Sequence, residues 1–194
     1  TDIEFELPFG FKEIEGIHSR TDFDLKNHEK YSGKNLKYYD AELKESYTPY
    51  VIETSIGVDR TFLSIMASAY TKEKLEDGET RVVLKLPPVL APVKIGIFPL
   101  IKKDGLPEVA HKIFEDLKFD FKCFYDDKDS IGKRYRRQDA IGTPFCITVD
   151  HQTLEDETVT IRYRDSMKQE RVKIEALSAI LNEKVSMKNL LKQL

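Results

Sequence analysis

Cysteine is scarce in this sequence of 194 residues. Cys123 and Cys146 lie far apart, each in an apolar run typical of a strand. Zinc sites bring thiolates together in closely spaced pairs, and disulfide scaffolds carry many more cysteines. The four histidines include no pair at the spacing of metal ligands: His18, His28, His111 and His151. We therefore expect two buried free thiols in a reducing cytoplasm, and neither a zinc site nor a disulfide framework.

Long apolar runs are also absent from the sequence. No stretch approaches the roughly 20 apolar residues that a membrane-spanning helix needs, so we expect no membrane partner. The first four residues, Thr1-Asp2-Ile3-Glu4, include neither an initiator methionine nor a basic-then-apolar leader, and we expect a piece of a longer chain. The length suits one large domain or two small ones, and 40% hydrophobic with 34% charged residues is typical of a globular protein.

The net charge of −3 is unevenly distributed along the chain. Residues 1–89 contain 12 basic and 17 acidic residues, whereas residues 90–194 contain 19 basic and 17 acidic residues. The densest basic cluster lies on a predicted helix and is our candidate RNA-binding surface: Lys133, Arg134, Tyr135, Arg136 and Arg137. A solvated basic helix face is the alternative, and charge alone does not decide between the two.

A domain boundary is predicted between about Glu73 and Pro92. Residues 72–80 are charged and contain Asp77-Gly78, and prolines follow at positions 87, 88 and 92. The prediction is a first domain at residues 1–85 and a second at residues 86–194. In the first, we expect strands at residues 9–17 and 50–53, a loop or short helical insertion at residues 23–46, and a helix from Val58 onward with apolar residues three to four apart.

The second domain alternates between strands and helices. Strands are predicted at residues 93–99, 119–125, 145–149, 158–164 and 171–174, and helices at residues 106–117, 130–140 and 175–183. The order is β-α-β-α-β-β-β-α. That order predicts a mixed five-stranded sheet with helices packed on its faces, large enough to bury a core of its own.

The strongest local signal is residues 51–60, which read Val-Ile-Glu-Thr-Ser-Ile-Gly-Val-Asp-Arg. A predicted strand ends here, Gly57 lets the backbone turn closely, and a helix begins with Arg60 in its first turn. The N-terminus of a helix offers unpaired N–H groups and a positive dipole end to anions, and an arginine adds a fork of donors suited to phosphate. An ordinary strand–turn–helix with a solvated arginine is the alternative.

A second signal is the acidic pair Glu13 and Glu15 on a predicted strand. Side chains two residues apart on a strand point to the same face, because the period of a strand is two. Paired acids in a cleft suit a metal ion bound to nucleotide phosphates, or a cationic group. A solvated strand face is the alternative.

These segments resemble the glycyl-tRNA synthetase family. Residues 13–25 (Glu-Ile-Glu-Gly-Ile-His-Ser-Arg-Thr-Asp-Phe-Asp-Leu), with later matches at His28, Ser32-Gly33 and Tyr38, look like the segment before motif 3 of these enzymes. Residues 51–60 are similar to motif 3 of class II synthetases in its glycyl version, through Glu53, Ser55, Gly57 and Arg60. From Ala91 onward the element order resembles the anticodon-binding domain shared by the glycyl, histidyl, prolyl and threonyl enzymes.

The resemblance implies a role for each matching residue. Arg60 would be catalytic, in contact with the terminal phosphates of ATP. The implied ATP site comprises Glu13, Ile14, Gly57, Val58, Asp59 and Arg60, with Glu13 also near a Mg²⁺ ion. The implied glycine site comprises Glu53, Thr54, Ser55, Ile56 and Gly57, in which Glu53 and Ser55 would hold the ammonium group. Thr54 departs from the family, which commonly has proline there.

The resemblance further implies an α/β chain: the C-terminal part of a class II antiparallel-sheet catalytic core, followed by the anticodon-binding domain. The full-length enzyme would be a cytoplasmic homodimer that activates glycine with ATP and Mg²⁺ and transfers it to tRNA(Gly). Motif 1 and motif 2, with its Phe-Arg-x-Glu type loop, do not occur here. We expect both upstream of Thr1, and an inactive piece without them. Two alternatives stay open: a stand-alone RNA- or protein-binding module built on an anticodon-type domain, and a plain two-layer interaction domain.

Overall fold

The chain divides into two compact units, Thr1–Ala67 and Ser68–Leu194. The structure, a computed structural model, describes residues 1–76 and 78–192. Asp77, which we used to predict the boundary, lies outside the described residues, as do the last two residues of the predicted second domain. The division between the units falls before the domain boundary predicted at residues 85–86, which stays a prediction.

The first unit is built on an antiparallel sheet of three strands in the order β1-β2-β5, with β2 paired to both neighbours. Its strands are β1 (Asp2–Leu7), β2 (Gly10–Thr21) and β5 (Val51–Ile56). A helix and a hairpin lie between β2 and β5: α1 (Phe23–Ser32), β3 (Tyr38–Asp40) and β4 (Glu45–Tyr47). The helix α2 (Val58–Ala69) follows β5.

The insertion between β2 and β5 is more regular than predicted. Helix α1 ends at Gly33, whose φ of 69° is left-handed and whose N–H donates to the carbonyl of Glu29. Apart from Phe23, Leu25 and Tyr31 the helix is polar, and it buries none of its residues, so it lacks the apolar periodicity on which a helix prediction depends. For this reason residues 23–46 read as a loop or short helical insertion in the sequence.

The first unit has almost no core of its own. Leu7 is the one buried hydrophobic side chain among residues 1–67, a range that the structure describes throughout. Large apolar side chains remain exposed on the sheet and on α2, including Phe11 at 60%, Ile52 at 67% and Phe62 at 65%. Strand β5 pairs only with β2 among the described residues. A sheet of this size needs further cover to be stable in water.

The second unit contains the predicted mixed five-stranded sheet, which is confirmed. The strand order is β12-β11-β10-β8-β9. Strand β8 runs parallel to β9 and β10, and β11 runs antiparallel to both β10 and β12. The strands are β8 (Ile95–Pro99), β9 (Cys123–Tyr125), β10 (Phe145–Val149), β11 (Thr158–Tyr163) and β12 (Gln169–Lys173).

Helices connect and cover this sheet. They are α3 (Leu106–Leu117), α4 (Ile131–Ile141), α5 (His151–Asp156), a 3-10 helix (Ile174–Ala176), α6 (Leu177–Lys184) and α7 (Met187–Leu191). Within the described part of the chain, none is long and apolar enough to cross a membrane. Helix α5 was not predicted because it is too short for a periodic pattern; Asp150 and Thr153 start it with a reciprocal capping box.

The core of the second unit lies between the sheet and its helices. Strands β8, β10 and β11 supply fully buried side chains, including Ile97, Ile147 and Ile161. Helices α3 and α6 pack on them through Leu106 and Leu181. The two cysteines also belong to this sheet, Cys146 buried and Cys123 half-buried, both as free thiols. Burial raises the pKa of Cys146 to about 12 and that of Cys123 to about 11, which keeps both protonated at neutral pH.

A hairpin of this unit lies in the region where we predicted the domain boundary. Its strands are β6 (Tyr70–Lys74) and β7 (Thr80–Leu84), and β7 packs on helix α4. The close approach explains Gly142, which ends α4 with a φ of 85°: a Cβ there would lie 3.0 Å from the carbonyl oxygen of Leu84. Some of the charged residues that suggested a domain boundary therefore lie inside the second unit.

A buried carboxylate holds the hairpin, α4 and the sheet together. Asp139 of α4 accepts two hydrogen bonds from Arg162 of β11, at 2.8 and 3.0 Å. Arg81 of β7, fully buried, places Nη1 3.6 Å from the same carboxylate and Nε 3.1 Å from Glu73. Its Nη2 donates to the carbonyl of Arg164 at 2.7 Å. Each buried charge thus has an opposite charge beside it, as burial requires.

Replacing Asp139 by Ala should destabilise the second unit strongly. The change leaves Arg81 and Arg162 buried without their shared counter-charge, which costs about 3–5 kcal/mol in comparable cases. Amide hydrogen exchange should show loss of protection in β10 and β11 by roughly two to three orders of magnitude. Asp129→Ala is the matched control, because its pair with Arg137 is about half exposed and should contribute less than about 1 kcal/mol. Equal protection in the two variants would contradict the assigned role of Asp139.

Candidate functional site

The turn between β5 and α2 brings together residues that are far apart in sequence. The N–H of Gly57 donates to the carbonyl of Ile14 at 3.1 Å. The guanidinium of Arg60 donates from Nη1 to the carbonyl of Glu13 at 2.7 Å. The pairing of β2 with β5, in which Glu15 faces Ile56, produces this arrangement. Four of the predicted ATP-site residues therefore lie side by side on the β2–β5 ladder and the start of α2.

The start of α2 is suited to an anion. The first hydrogen bond of the helix runs from the N–H of Thr61 to the carbonyl of Gly57, at 2.9 Å. The N–H groups of Val58, Asp59 and Arg60 precede that bond, in the first turn, where backbone donors are unpaired and the helix dipole is positive. Together with the Arg60 fork, these donors fit the charge and geometry of phosphate oxygens.

The predicted glycine-site residues lie along the exposed strand β5. In the register of the two strands, Glu53 of β5 lies opposite His18 of β2, Thr54 lies opposite Ile17, and Ser55 lies opposite Gly16. Alternation along the strand places Glu53 and Ser55 on one face and Thr54 and Ile56 on the other. Thr54 lies within the ladder in extended backbone, so the departure from proline is compatible with the strand.

The backbone at Gly57 does not itself need glycine. Its φ is not left-handed, and a Cβ would approach nothing closer than the Arg60 side chain at 3.6 Å. The expectation that glycine allows a close backbone turn here is therefore wrong. Gly57 directly precedes α2, a position at which glycine is among the preferred residues.

The acidic pair Glu13 and Glu15 lies across a bulge. Ile3 of β1 faces Glu15 and the next residue, Glu4, faces Glu13, so β2 carries one extra residue, Ile14. Our prediction of a shared face assumed uninterrupted alternation, which the bulge breaks. Glu13 also has no partners for a metal site of its own: the described residues contain no group of three or more His, Cys, Asp or Glu side chains that could hold a metal ion.

A single carboxylate still fits the way proteins bind Mg²⁺ to nucleotides. Mg²⁺ commonly takes one or two carboxylates and completes its shell with phosphate oxygens and water. Glu13 can supply one such ligand beside the anion-binding start of α2. The donor set of the first unit therefore fits a Mg²⁺–nucleotide and does not fit a metal ion held by protein alone.

The predicted RNA-binding cluster on α4 is largely engaged within the second unit. Arg134 is buried and donates to the carbonyls of Pro99, Leu100 and Asp126 at 2.6–3.2 Å. Tyr135 bonds through its hydroxyl to Thr148 at 2.6 Å, and Arg162 lies 4.7 Å from the centre of its ring. These two side chains are not available to RNA without rearrangement of the fold.

The remaining members of the cluster differ in availability. Arg137 is exposed but forms ion pairs with Asp126 at 2.6 Å and Asp129 at 2.9 Å. Arg136 is partly exposed and lies 3.5 Å from Glu79. Lys133 is exposed on the helix surface. RNA contact by this helix would therefore depend first on Lys133, and the role of the cluster stays a prediction.

Arg20 lies beside the predicted site residue Glu53, although its sequence context did not single it out. Its Nε lies 3.4 Å from Glu53 and 2.9 Å from Asp24. Arg20 belongs to the end of β2 and Asp24 to the first turn of α1, and their opposite charges four residues apart are the signal that could have drawn attention to Arg20.

The chain is similar to known proteins over almost its whole length. Residues 91–184 match the family model described as an anticodon binding domain. The chain is 56% identical over 184 residues to the glycine–tRNA ligase of Chlorobaculum tepidum, and 53% over 186 residues to that of Borreliella burgdorferi. The glycine–tRNA ligase of Treponema denticola is 50% identical over 188 residues. These matches cover 94–95% of this chain but 39–42% of the relatives, so the chain spans about two fifths of their length.

A solved structure supports the fold. The RNA binding domain of threonyl-tRNA synthetase from Cryptosporidium parvum aligns with a TM-score of 0.69, covering 94% of this chain and 42% of that chain. At 19% identity this likeness shows the fold alone. The sequence relatives carry the assignment further: this chain is homologous over almost its whole length to glycine–tRNA ligases, of which it spans about two fifths, and its residues 91–184 match the anticodon binding domain.

Proposed function

We propose that this chain works as part of a glycine–tRNA ligase, which activates glycine with ATP and Mg²⁺ and transfers it to tRNA(Gly). The observation that carries the proposal is the junction of β2, β5 and α2. There Arg60 and the first amides of a helix adjoin a strand that presents Glu53 and Ser55 on one face. The full-length protein would act as a cytoplasmic homodimer, an arrangement taken from the family resemblance.

The first unit would bind the nucleotide through backbone and arginine donors. Arg60 would contact the terminal phosphates, with the amides of Val58 and Asp59 in the same first turn. Glu13 would supply one ligand to Mg²⁺, which neutralises phosphate charge when bound. The hydrogen bond that Arg60 donates to the Glu13 carbonyl supports this assignment. It fixes one edge of the planar guanidinium and holds the group next to the backbone of Glu13.

Glycine would bind through its ammonium group on β5. Glu53 supplies the carboxylate and Ser55 a hydroxyl from the same strand face, and a charge-assisted hydrogen bond is a strong one. Gly57 would leave a small space beside this group, large enough only for a substrate that has no side chain. A tight pocket rejects larger amino acids by steric clash more effectively than it could reject smaller ones.

The second unit would bind the anticodon stem-loop. Support comes from the family match at residues 91–184 and from a core that is complete without the first unit. Bases of single-stranded loops are read by stacking and by hydrogen bonds to their edges, while basic side chains bind the phosphates. A stand-alone RNA- or protein-binding module is the alternative that the experiments below separate from this proposal.

The chain by itself should catalyse no glycine-dependent exchange of pyrophosphate into ATP. Its sequence has no Phe-Arg-x-Glu loop to stabilise charge at the α-phosphate, and removing even one such donor costs roughly 10²–10³ in rate. The full-length protein is the control and should be active. Exchange by the 194 residues alone would overturn the proposed division of labour; an inactive full-length protein would favour the stand-alone module.

In the full-length protein, Arg60→Ala should slow adenylate formation by about 10²–10³, the effect of losing one preorganised phosphate donor. Arg60→Lys should recover part of the rate, because lysine restores the charge but not the planar fork. The control is Lys34→Ala, an exposed basic residue after α1. If Arg60→Ala and the unmodified protein show the same exchange kinetics, Arg60 does not contact ATP and is an ordinary surface residue.

The 194-residue chain should bind the anticodon stem-loop of a glycine tRNA weakly, and less as salt rises, because phosphate contacts release counterions. Affinity should fall when the second and third anticodon bases are changed. Lys133→Ala should weaken both complexes alike and reduce the slope of log affinity against log salt concentration by about 1, the value for one lost phosphate contact. Lys112→Ala on α3 is the control and should change neither affinity nor slope. Titration of both stem-loops at two salt concentrations measures this. Equal affinity for the two loops would leave only non-specific electrostatics, and no binding would favour a protein-interaction module.

A further inference from the structure

Strand β2 ends in an irregular corner that aims one arginine at the predicted glycine site. Ser19 faces Ile52 of β5, while Thr21 faces the adjacent Val51, so Arg20 is an extra residue without a partner across the ladder. Such bulges re-aim a side chain and are over-represented next to active sites. Thr21 follows with a φ of 51°, a left-handed conformation that is rare and costly for a β-branched residue.

The corner places Arg20 between two carboxylates. Nε and Nη2 of Arg20 donate to the two oxygens of Asp24, at 2.9 and 3.0 Å. Nε also lies 3.4 Å from Oε2 of Glu53, which is ion-pair distance. Asp24 belongs to the first turn of α1, so the helix start, the bulge and β5 meet at one guanidinium. Both carboxylates raise the pKa of Arg20, and the hydrogen bonds that Arg20 donates to Asp24 are the larger cause.

We infer that Arg20 is a positioning residue that orients Glu53 for the ammonium group of glycine. The inference rests on the proposed function, since it deepens the role of Glu53. The guanidinium of Arg20 lies at ion-pair distance on the Oε2 side of the Glu53 carboxylate, and the ammonium group of glycine would donate to Oε1. A planar, always charged guanidinium can serve both carboxylates at once, whereas a lysine ammonium is a single point charge.

The charges of the three residues favour a cation as ligand. Asp24, Arg20 and Glu53 together carry a net charge of −1 at neutral pH. Without Arg20, two carboxylates would approach each other, which favours protonation of one of them. With Arg20 but without the charge of Asp24, the net charge would be zero and attraction for an ammonium group would fall. The trio thus retains one negative charge and fixes where it lies.

Steady-state exchange kinetics of the full-length protein test the inference. Arg20→Ala should raise the KM for glycine about tenfold and leave the KM for ATP nearly unchanged. A tenfold effect lies within the range of interaction free energies found for charged residues in contact. Arg20→Lys should recover part of the glycine affinity. Asp24→Asn should also raise the KM for glycine, through the lost net charge. The matched control is Lys26→Ala, which breaks a similar four-residue pair on the same helix, with Asp22 at 2.6 Å, and should change neither KM.

A double mutant separates positioning from general damage. In a Glu53→Gln background, Arg20→Ala should have little further effect on the KM for glycine, because the group that it orients is gone. A rise of both KM values in parallel, or an unchanged glycine KM in Arg20→Ala, would overturn the inference. If Arg20→Ala fails to fold, Arg20→Lys and Asp24→Asn test the same role through the glycine KM alone.

Failure of the inference and failure of the proposed function give different results. A full-length protein without glycine-dependent exchange would contradict the proposed function. An active protein in which Glu53→Gln raises the glycine KM while Arg20→Ala does not would contradict only the role of Arg20.

Discussion

The second unit depends on one buried carboxylate. Asp139 is fully buried and lies between two arginines that come from different elements, Arg162 on β11 and Arg81 on β7. Asp139 and Arg162 are each buried beside the other, and Arg81 lies between Asp139 and Glu73; an unpaired buried ion would cost several kcal/mol. The hairpin β6–β7 is therefore attached to α4 and to the sheet by an electrostatic requirement as well as by apolar packing of Val83 and Leu84.

This requirement explains where sequence reasoning succeeded and where it did not. The sheet and helices of the second unit follow from apolar periodicity, and the predicted bounds of helix α3 are the observed ones. The hairpin β6–β7 was missed because Glu73 and Arg81, which attach it to the fold, are charged, and charged residues here suggested a domain boundary. Nothing local distinguishes a charged residue that pairs inside the fold from one that is solvated. The distinction depends on Asp139, which lies far away in sequence.

The same limit applied to the candidate sites. Residues 51–60 form a strand, a turn and a helix because their local pattern dictates it, and Arg60 lies in the first turn as predicted. The partner of Arg60 could not be read from the sequence, since it is the backbone of Glu13, brought close by strand pairing. On α4 the pattern of charge misled in the opposite direction: Arg134 and Tyr135 look available in the sequence but are held inside the fold.

The two units differ in a way that matters for how such a protein can work. The second unit has a closed core and paired internal charges, so it can hold its shape without help. The first unit exposes Ile52 and Phe62 beside the very strand and helix that carry Glu53 and Arg60. Catalytic geometry must be held to within about half an ångström, and a sheet with a single buried apolar side chain cannot supply that rigidity. Under the proposed function, RNA would bind to the second unit alone, whereas chemistry at Arg60 would need apolar cover for the first unit.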